Sequence, residues 1–206
     1  MPGRTCGAIL LCLLSAGVSA ASAPGIAERR QQNRSVSELI ATLSAQDPEV
    51  RARAACELRD LGDRAAGAIE ALAGLLADGS PTRAHCVRWT GRWNSDDETT
   101  PGEIAASALT AIGSRAYTAL ETALHNTSWI ARRNAAWALG ALDDQRAVPR
   151  LLDVLRDREA PVRQQAAWAL GALDSRDATA ALIGALKDTD AGVRQQAAWA
   201  LGVLGR

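Results

Sequence analysis

The sequence predicts an all-α protein, a right-handed α-solenoid of paired antiparallel helices with a period of about 31 residues. Three observations predict it. The segment VRQQAAWALGAL at 162–173 returns as VRQQAAWALGVL at 193–204, and RRNAAWALGAL at 132–142 lies one period before the first of these. Self-similarity at a fixed period marks stacked units that bury their apolar faces only against neighbours. Within a unit the apolar residues recur at helical spacing. Val162, Ala166, Ala169, Leu170 and Leu173 share one face, as do Leu151, Leu152 and Leu155, or Leu182, Ile183 and Leu186. Finally, 48% of the residues are hydrophobic, mostly Ala and Leu, while aromatics make up only 3%. Ala and Leu are strong helix formers, and a sandwich or barrel wants more aromatic and β-branched residues.

The elements follow in order. Residues 1–20 read as a signal peptide, with Arg4 as its positive region, an apolar run over 6–18, and small residues that allow cleavage after 20 or 23. The run is too short to span a bilayer comfortably. Residues 24–34 form a polar lead-in, and the repeat solenoid occupies 35–206. SVSELIATLSAQD (35–47) is a short helix opened by a Ser35-x-x-Glu38 capping box. VRARAACELRDL (50–61) and AAGAIEALAGLLAD (65–78) form a first, weaker copy of the unit, and IAASALTAI (104–112) with SRAYTALETALHN (114–126) a second. The clear copies are 132–142 with 145–157, then 162–173 with 175–188, then 193–204. This phase gives ten helices in five hairpins, joined at turns around Asn126, Asp157 and Asp188.

An insertion at 79–103 breaks the period. It carries His85, Cys86, Trp89 and Trp93, then the acidic run Asp96-Asp97-Glu98. Long loops in compact proteins often carry function. Two readings stand side by side: a binding loop, or a cap pinned over the second unit by its tryptophans and a disulfide.

The units resemble HEAT-like repeats of the phycobilisome-lyase type over residues 35–206. The resemblance implies a structural ladder in which an Asp in the turn and an Arg six residues later tie neighbouring units together. Here the pairs are Asp157 with Arg163 and Asp188 with Arg194, and Asn126 with Arg132 is a softened version. An Arg fork suits turn carbonyls and carboxylates alike. The resemblance also brings two enzyme families into view. Bilin lyases work in the cytosol, against the export signal. Deoxyhypusine hydroxylases hold two irons with His-Glu pairs, whereas this chain has only His85-Cys86 and His125-Asn126.

No nucleophile elbow, P-loop or zinc spacing is present, so catalytic residues, metal and cofactor are all expected to be none. Lys+Arg and Asp+Glu are 23 each. That balance lacks the basic excess of a nucleic-acid binder and any polybasic lipid-binding stretch. The expectation is a non-enzymatic scaffold, periplasmic or secreted. Its partner is another protein, with no nucleic acid and no membrane after signal cleavage. The alternative is a repeat-family enzyme or enzyme subunit that uses the 79–103 loop.

Two further readings concern particular side chains. Export would leave Cys56 and Cys86, an even pair in an oxidising compartment, and we expect a disulfide between them; the alternative is two free thiols. Trp137, Trp168 and Trp199 recur at one helix position. At about 100° per residue they fall on the outer side of the long helix, away from its own apolar centre. Either each ring packs across the joint on the neighbouring helix, at positions such as Gly171 and Ala172, or the three form an exposed ridge with Trp129 that binds a partner. Trp89 and Trp93 in the insertion are further candidate binding residues.

Overall fold

Side-chain caps mark where several of the helices begin. Ser35 caps the N-terminus of the short helix α1 (Val36–Thr42) through a full capping box with Glu38. Asp47 caps α2 (Pro48–Leu61), and its Pro at the first position needs no N–H partner. The structure, a computed structural model, describes residues 34–84 and 99–205. The expected signal peptide and most of the lead-in therefore lie outside the described residues, as does most of the insertion.

After α2 a 3₁₀ stretch, Gly62–Ala68, leads into the short α3 (Ile69–Leu75). The long α4 (Pro101–Ile112) begins inside the segment expected as inserted loop, because Thr100 and Glu103 form a second capping box. The remaining hairpins are α5 (Tyr117–Ala123) with α6 (Trp129–Ala141), α7 (Val148–Val154) with α8 (Ala160–Ala172), and α9 (Thr179–Ala185) with α10 (Ala191–Leu204). Each hairpin passes to the next through a residue of positive φ: Gly62, Gly113, Asp143 and Asp174 stand at 56°, 87°, 55° and 49°. Asp is among the few residues other than Gly that tolerate this region. Among the described residues the fold is thus ten helices in five hairpins, an all-α solenoid.

The long helices stack on one another in sequence, while most of the short helices stand further apart. The core runs between the two rows. Leu39, Leu72, Leu120, Leu151 and Leu182 of the short helices and Leu58, Leu109, Leu139 and Leu170 of the long ones are fully buried. One expectation from periodicity is corrected. Ile183 and Leu186 do not share the buried face with Leu182; they are 52% and 39% exposed. Leu124, at the position of Leu186 two units earlier, is buried. The difference is the neighbour: a following hairpin covers this side of α5, and none of the described residues covers the side of α9 that carries Ile183 and Leu186.

The described residues of the insertion are tied together at its base. Thr82 and Thr99 form an antiparallel bridge, N–H to carbonyl in both directions at 2.9 and 3.1 Å. The Thr99 hydroxyl donates to the Ala84 carbonyl, and the Arg83 N–H donates to the Glu49 carboxylate on α2.

Candidate interaction surface

A guanidinium ladder positions everything else. Arg132, near the start of α6, uses Nη1 to donate to the carbonyls of Asn126 and Thr127 in its own turn. Its Nε and Nη2 donate to both carboxylate oxygens of Asp157, in the next turn, at 2.7 and 2.9 Å. Arg163 repeats this, with the carbonyls of Asp157 and Arg158 on one side and the Asp188 carboxylate at 2.7 and 2.8 Å on the other. Each Asp also accepts from the N–H two residues on, closing its own turn. The six-residue pairs expected from the sequence are therefore carbonyl contacts. The carboxylate of each Asp belongs to the Arg of the preceding unit. Arg194 holds its turn carbonyls, Asp188 and Thr189, in the same way.

A further rung escaped the sequence reading. Arg51 on α2 donates to the carbonyls of Ala45 and Gln46, to the Asp78 carboxylate at 2.7 Å, and to Ser80. Arg51 follows Val50 as Arg163 follows Val162, which is the signal that could have found it. The absence of an Asp six residues before it hid the relation.

In all three carboxylate rungs both side chains are mostly buried, 8–15% exposed. Burial pushes the pKa values of Asp78 and Asp157 up. The guanidiniums of Arg51 and Arg132, with the turn N–H bonds, outweigh it and hold both carboxyls below their ordinary range. For Asp188 the bonds from Arg163 dominate, and its carboxyl is lowered as well.

Two of the three repeated tryptophans, Trp137 and Trp168, lie in the joints rather than on a free ridge. Trp137 and Trp168 are half-buried and stacked, with ring centroids 6.3 Å apart and planes 15° apart. A Cβ built on Gly140 would lie 3.2 Å from the Trp168 ring, and one on Gly171 would lie 2.9 Å from the Trp199 ring. The Trp168 and Trp199 rings therefore each pack on the glycine of the preceding long helix. Of the two sequence readings, packing across the joint describes Trp137 and Trp168. Trp199 is 41% exposed because nothing described stacks beyond it. Trp129 is also exposed, with the Arg133 guanidinium 5.6 Å from its ring centroid. Such cation–π contacts are worth about 0.5–1 kcal/mol at the surface.

Arg133 also donates to the buried Glu103 at 2.8 Å, and the neighbouring Asn134 donates to the Leu76 carbonyl at 2.9 Å. Neither contact is legible in the sequence, since both cross between units. Between the short helices α3 and α5 lies an open groove of about 580 Å³, lined by residues that include Ala66, Gly67, Glu70, Ala73, Gly74 and Arg115.

Cys56 is buried and carries a disulfide bond. Its expected partner Cys86 lies outside the described residues, as do His85, Trp89 and Trp93. Among the described residues no three His, Cys, Asp or Glu side chains gather as metal ligands, and no helix is long and apolar enough to cross a membrane.

A family model of HEAT repeats matches residues 93–170 and 148–206. No curated protein matches by sequence. Among solved structures, the complex of CpcE and CpcF of phycocyanin lyase from Nostoc sp. PCC7120 is similar at 24% identity with a TM-score of 0.57. The match covers 84% of this chain and 65% of that one. Kap95p bound to RanGDP is similar at 15% identity and a TM-score of 0.62, over 87% of this chain and 26% of that one. Importin beta matches at 16% and 0.59, over 82% and 25%. The chain thus spans 65% of the lyase chain and about a quarter of either importin. At these identities the likeness is one of fold.

Proposed function

The chain belongs to the HEAT-repeat family, and we propose that it is a non-enzymatic protein-interaction scaffold acting outside the cytoplasm. The observation that carries the reading is the pairing of a stiff ladder with exposed aromatics. Arg51, Arg132 and Arg163 lock successive turns, so the row of long helices offers Trp129 and Trp199 to solvent on a fixed frame. Trp is enriched at binding hot spots because it supplies area at little entropic cost. Repeat solenoids use such extended surfaces for recognition. Two similar folds were solved in assemblies with other proteins, the CpcE–CpcF complex and Kap95p with RanGDP.

Export is supported by the apolar run at 6–18 and the small residues at 18–23. An oxidising compartment is where a Cys56–Cys86 disulfide would persist. Photo-crosslinking side chains placed at positions 129 and 199, with the exposed Thr118 of α5 as control, test the scaffold reading in intact cells. Defined protein adducts from 129 or 199 and none from 118 are expected; adducts from neither aromatic position refute it. Fractionation with N-terminal sequencing tests export. A cytosolic protein that retains residues 1–20 overturns that part.

A further inference from the structure

One joint of the array lacks the devices that stiffen the others. It divides the solenoid into a first block, α1–α4, and a second, α5–α10. The Arg51–Asp78 rung ties α1–α2 to α3–α4 within the first block. The Arg132–Asp157 and Arg163–Asp188 rungs tie each hairpin to the next within the second. Between the blocks the rung is missing, because Gly102 and Asn126 stand where an Arg and an Asp would meet. A guanidinium held on a carboxylate fixes two elements in both distance and direction, so its loss frees both.

The ring contact differs as well. At later joints a Trp ring lies on the glycine of the preceding long helix, Trp168 on Gly140 and Trp199 on Gly171. Here Thr110 takes the glycine's place on α4, and its hydroxyl donates to the Ala106 carbonyl. On the row of short helices, Glu121 of α5 and Arg150 of α7 pair at 2.8 Å, and the Tyr117 hydroxyl donates to the Arg146 carbonyl at 2.9 Å. At the α3–α5 joint Ala73 and Ala119 replace that ion pair, and Ile69 replaces Tyr117. Ala73 and Ala119 line the open groove of about 580 Å³. The α7–α9 joint is open too, at about 620 Å³, but it keeps its rung and its ring.

The backbone connection between the blocks is permissive in the same sense. The chain passes from α4 to α5 through Gly113, at φ 87° with nothing within 4 Å of an added Cβ, where the later passages use Asp143 and Asp174. Glycine absorbs changes of backbone angle that other residues cannot. The joint is also set differently. The long helices α4 and α6 touch less than their stacked neighbours do, while the short helices α3 and α5 come closer than the later ones. Arg133, which donates to Glu103 at 2.8 Å, and Asn134, which donates to the Leu76 carbonyl at 2.9 Å, cross this joint from adjacent positions early in α6. Contacts gathered at one end of a helix leave its other end free to move.

We propose that the joint between α4 and α6 is a hinge, on which the block α1–α4 swings against the block α5–α10 about a pivot formed by Arg133 and Asn134. Hinges of this kind concentrate the change of backbone angle in a few residues at element ends, here around Gly113. A partner that touches both blocks selects one hinge angle.

The test measures distances in the whole chain. Spin labels on ketone-bearing side chains at the exposed positions 53 and 172, which leave the cysteines untouched, report across the hinge by pulsed electron paramagnetic resonance. Labels at 122 and 180, on α5 and α9, report within the second block. The distribution across the hinge is expected to be the broader of the two. Ala73→Glu with Ala119→Arg rebuilds over the groove the bridge that Glu121 and Arg150 make at the next joint. It is expected to shift the population toward one distance about two- to fivefold, the effect of an exposed Arg–carboxylate pair. Ala73→Glu alone is expected to leave the distribution in place, and Asn134→Ala, which removes half of the pivot, to broaden it further. Circular dichroism checks that each variant is folded.

Equal widths across the hinge and within the second block overturn the proposal. So does a broad distribution that the folded bridge and pivot variants leave unchanged, since the bending then lies elsewhere in the array. No partner enters these measurements, so their failure leaves the scaffold reading standing, and adducts missing from positions 129 and 199 leave the hinge standing.

Discussion

The same glycine, at the same helix position in three successive units, should respond to alanine with opposite signs. In a helix interior Gly→Ala gains about 0.5–1 kcal/mol through backbone entropy. At Gly202 nothing lies within 4 Å of the new Cβ, so this gain is kept. At Gly140 the Cβ would stand 2.6 Å from the Ala169 Cβ and 2.7 Å from its Cα. The obstacle is backbone and a methyl group, neither of which can rotate away, so α6 and α8 must separate. Overpacking of this kind costs about 1–3 kcal/mol. It outweighs the gain and leaves Gly140→Ala less stable by about 1 kcal/mol. Gly171→Ala meets Ala200 at 2.7 and 2.8 Å and should fall beside it. The Gly202→Ala and Gly140→Ala proteins should then differ by about 2 kcal/mol, or about 4–8 °C in melting temperature for a chain of this size. Thermal and urea unfolding, read by far-ultraviolet circular dichroism, measure the difference. A Gly140→Ala protein that melts at or above Gly202→Ala would refute the joint packing described here.

Four more outcomes follow from the ladder, the rings and the disulfide. Arg163→Ala should cost about 2–4 kcal/mol in urea unfolding, since it leaves Asp188 mostly buried without its cation, whereas Arg194→Ala, which loses two exposed carbonyl bonds, should cost under about 1 kcal/mol. The carboxyls of Asp78, Asp157 and Asp188 are lowered in the folded state. Their stabilisation is therefore complete above the unfolded carboxyl value, about 3.9, and is lost as pH falls through the lower folded values; melting below pH 4 should drop less steeply in Asp157→Asn than in the wild type. Trp168→Ala, which removes a stacked joint ring, should cost about 2 kcal/mol, and Trp199→Ala well under half of that by thermal melting. Reduction of the Cys56 disulfide should lower stability by roughly 3–4 kcal/mol if it closes the loop to Cys86, and peptide mapping of the unreduced protein should show that pairing.

Local rules made most of the fold legible. The period, the hairpin phase and the capping boxes depend on residues within one unit, and Ser35 with Glu38 shows how complete such a signal is. What lay between units was harder to read. The spacing of Asp157 and Arg163 is visible in the sequence, but it marks a carbonyl contact; the ion pair runs from Arg132 to Asp157 across a joint. Helical periodicity placed Ile183 and Leu186 on an apolar face, correctly as a pattern. It could not say whether a neighbour covers that face. The angular argument set the tryptophans away from their own core and offered Gly171 and Ala172 as seats for a neighbouring ring; the Trp199 ring does lie on Gly171 and the Trp168 ring on Gly140, while Ala172 is exposed. The exposed aromatics were legible as residues and not as exposed.

The ladder is interrupted at one joint, and both sides of the missing rung differ together. On α4, Gly102 stands where Arg132, Arg163 and Arg194 stand on later helices. In the turn it would have reached, Asn126 replaces the Asp of later turns. A carboxylate there would have no guanidinium to answer it, and the exposed position carries a neutral amide. The turn itself does not need it, since the Asn126 side-chain oxygen still accepts from the Ser128 N–H at 2.8 Å. Glycine at 102 serves a different contact. Its N–H donates to the Asp78 carbonyl at 3.0 Å, and an added Cβ would lie 2.7 and 2.8 Å from the carbonyls of Leu76 and Asp78. The start of α4 is thus pressed onto the turn that leads into the insertion, and no side chain fits between them. Asn134 and the Arg133–Glu103 pair stitch this joint where the rung is missing. The array gives up its regular clamp next to the place where it accommodates an inserted loop, and these cross-unit contacts hold the joint instead.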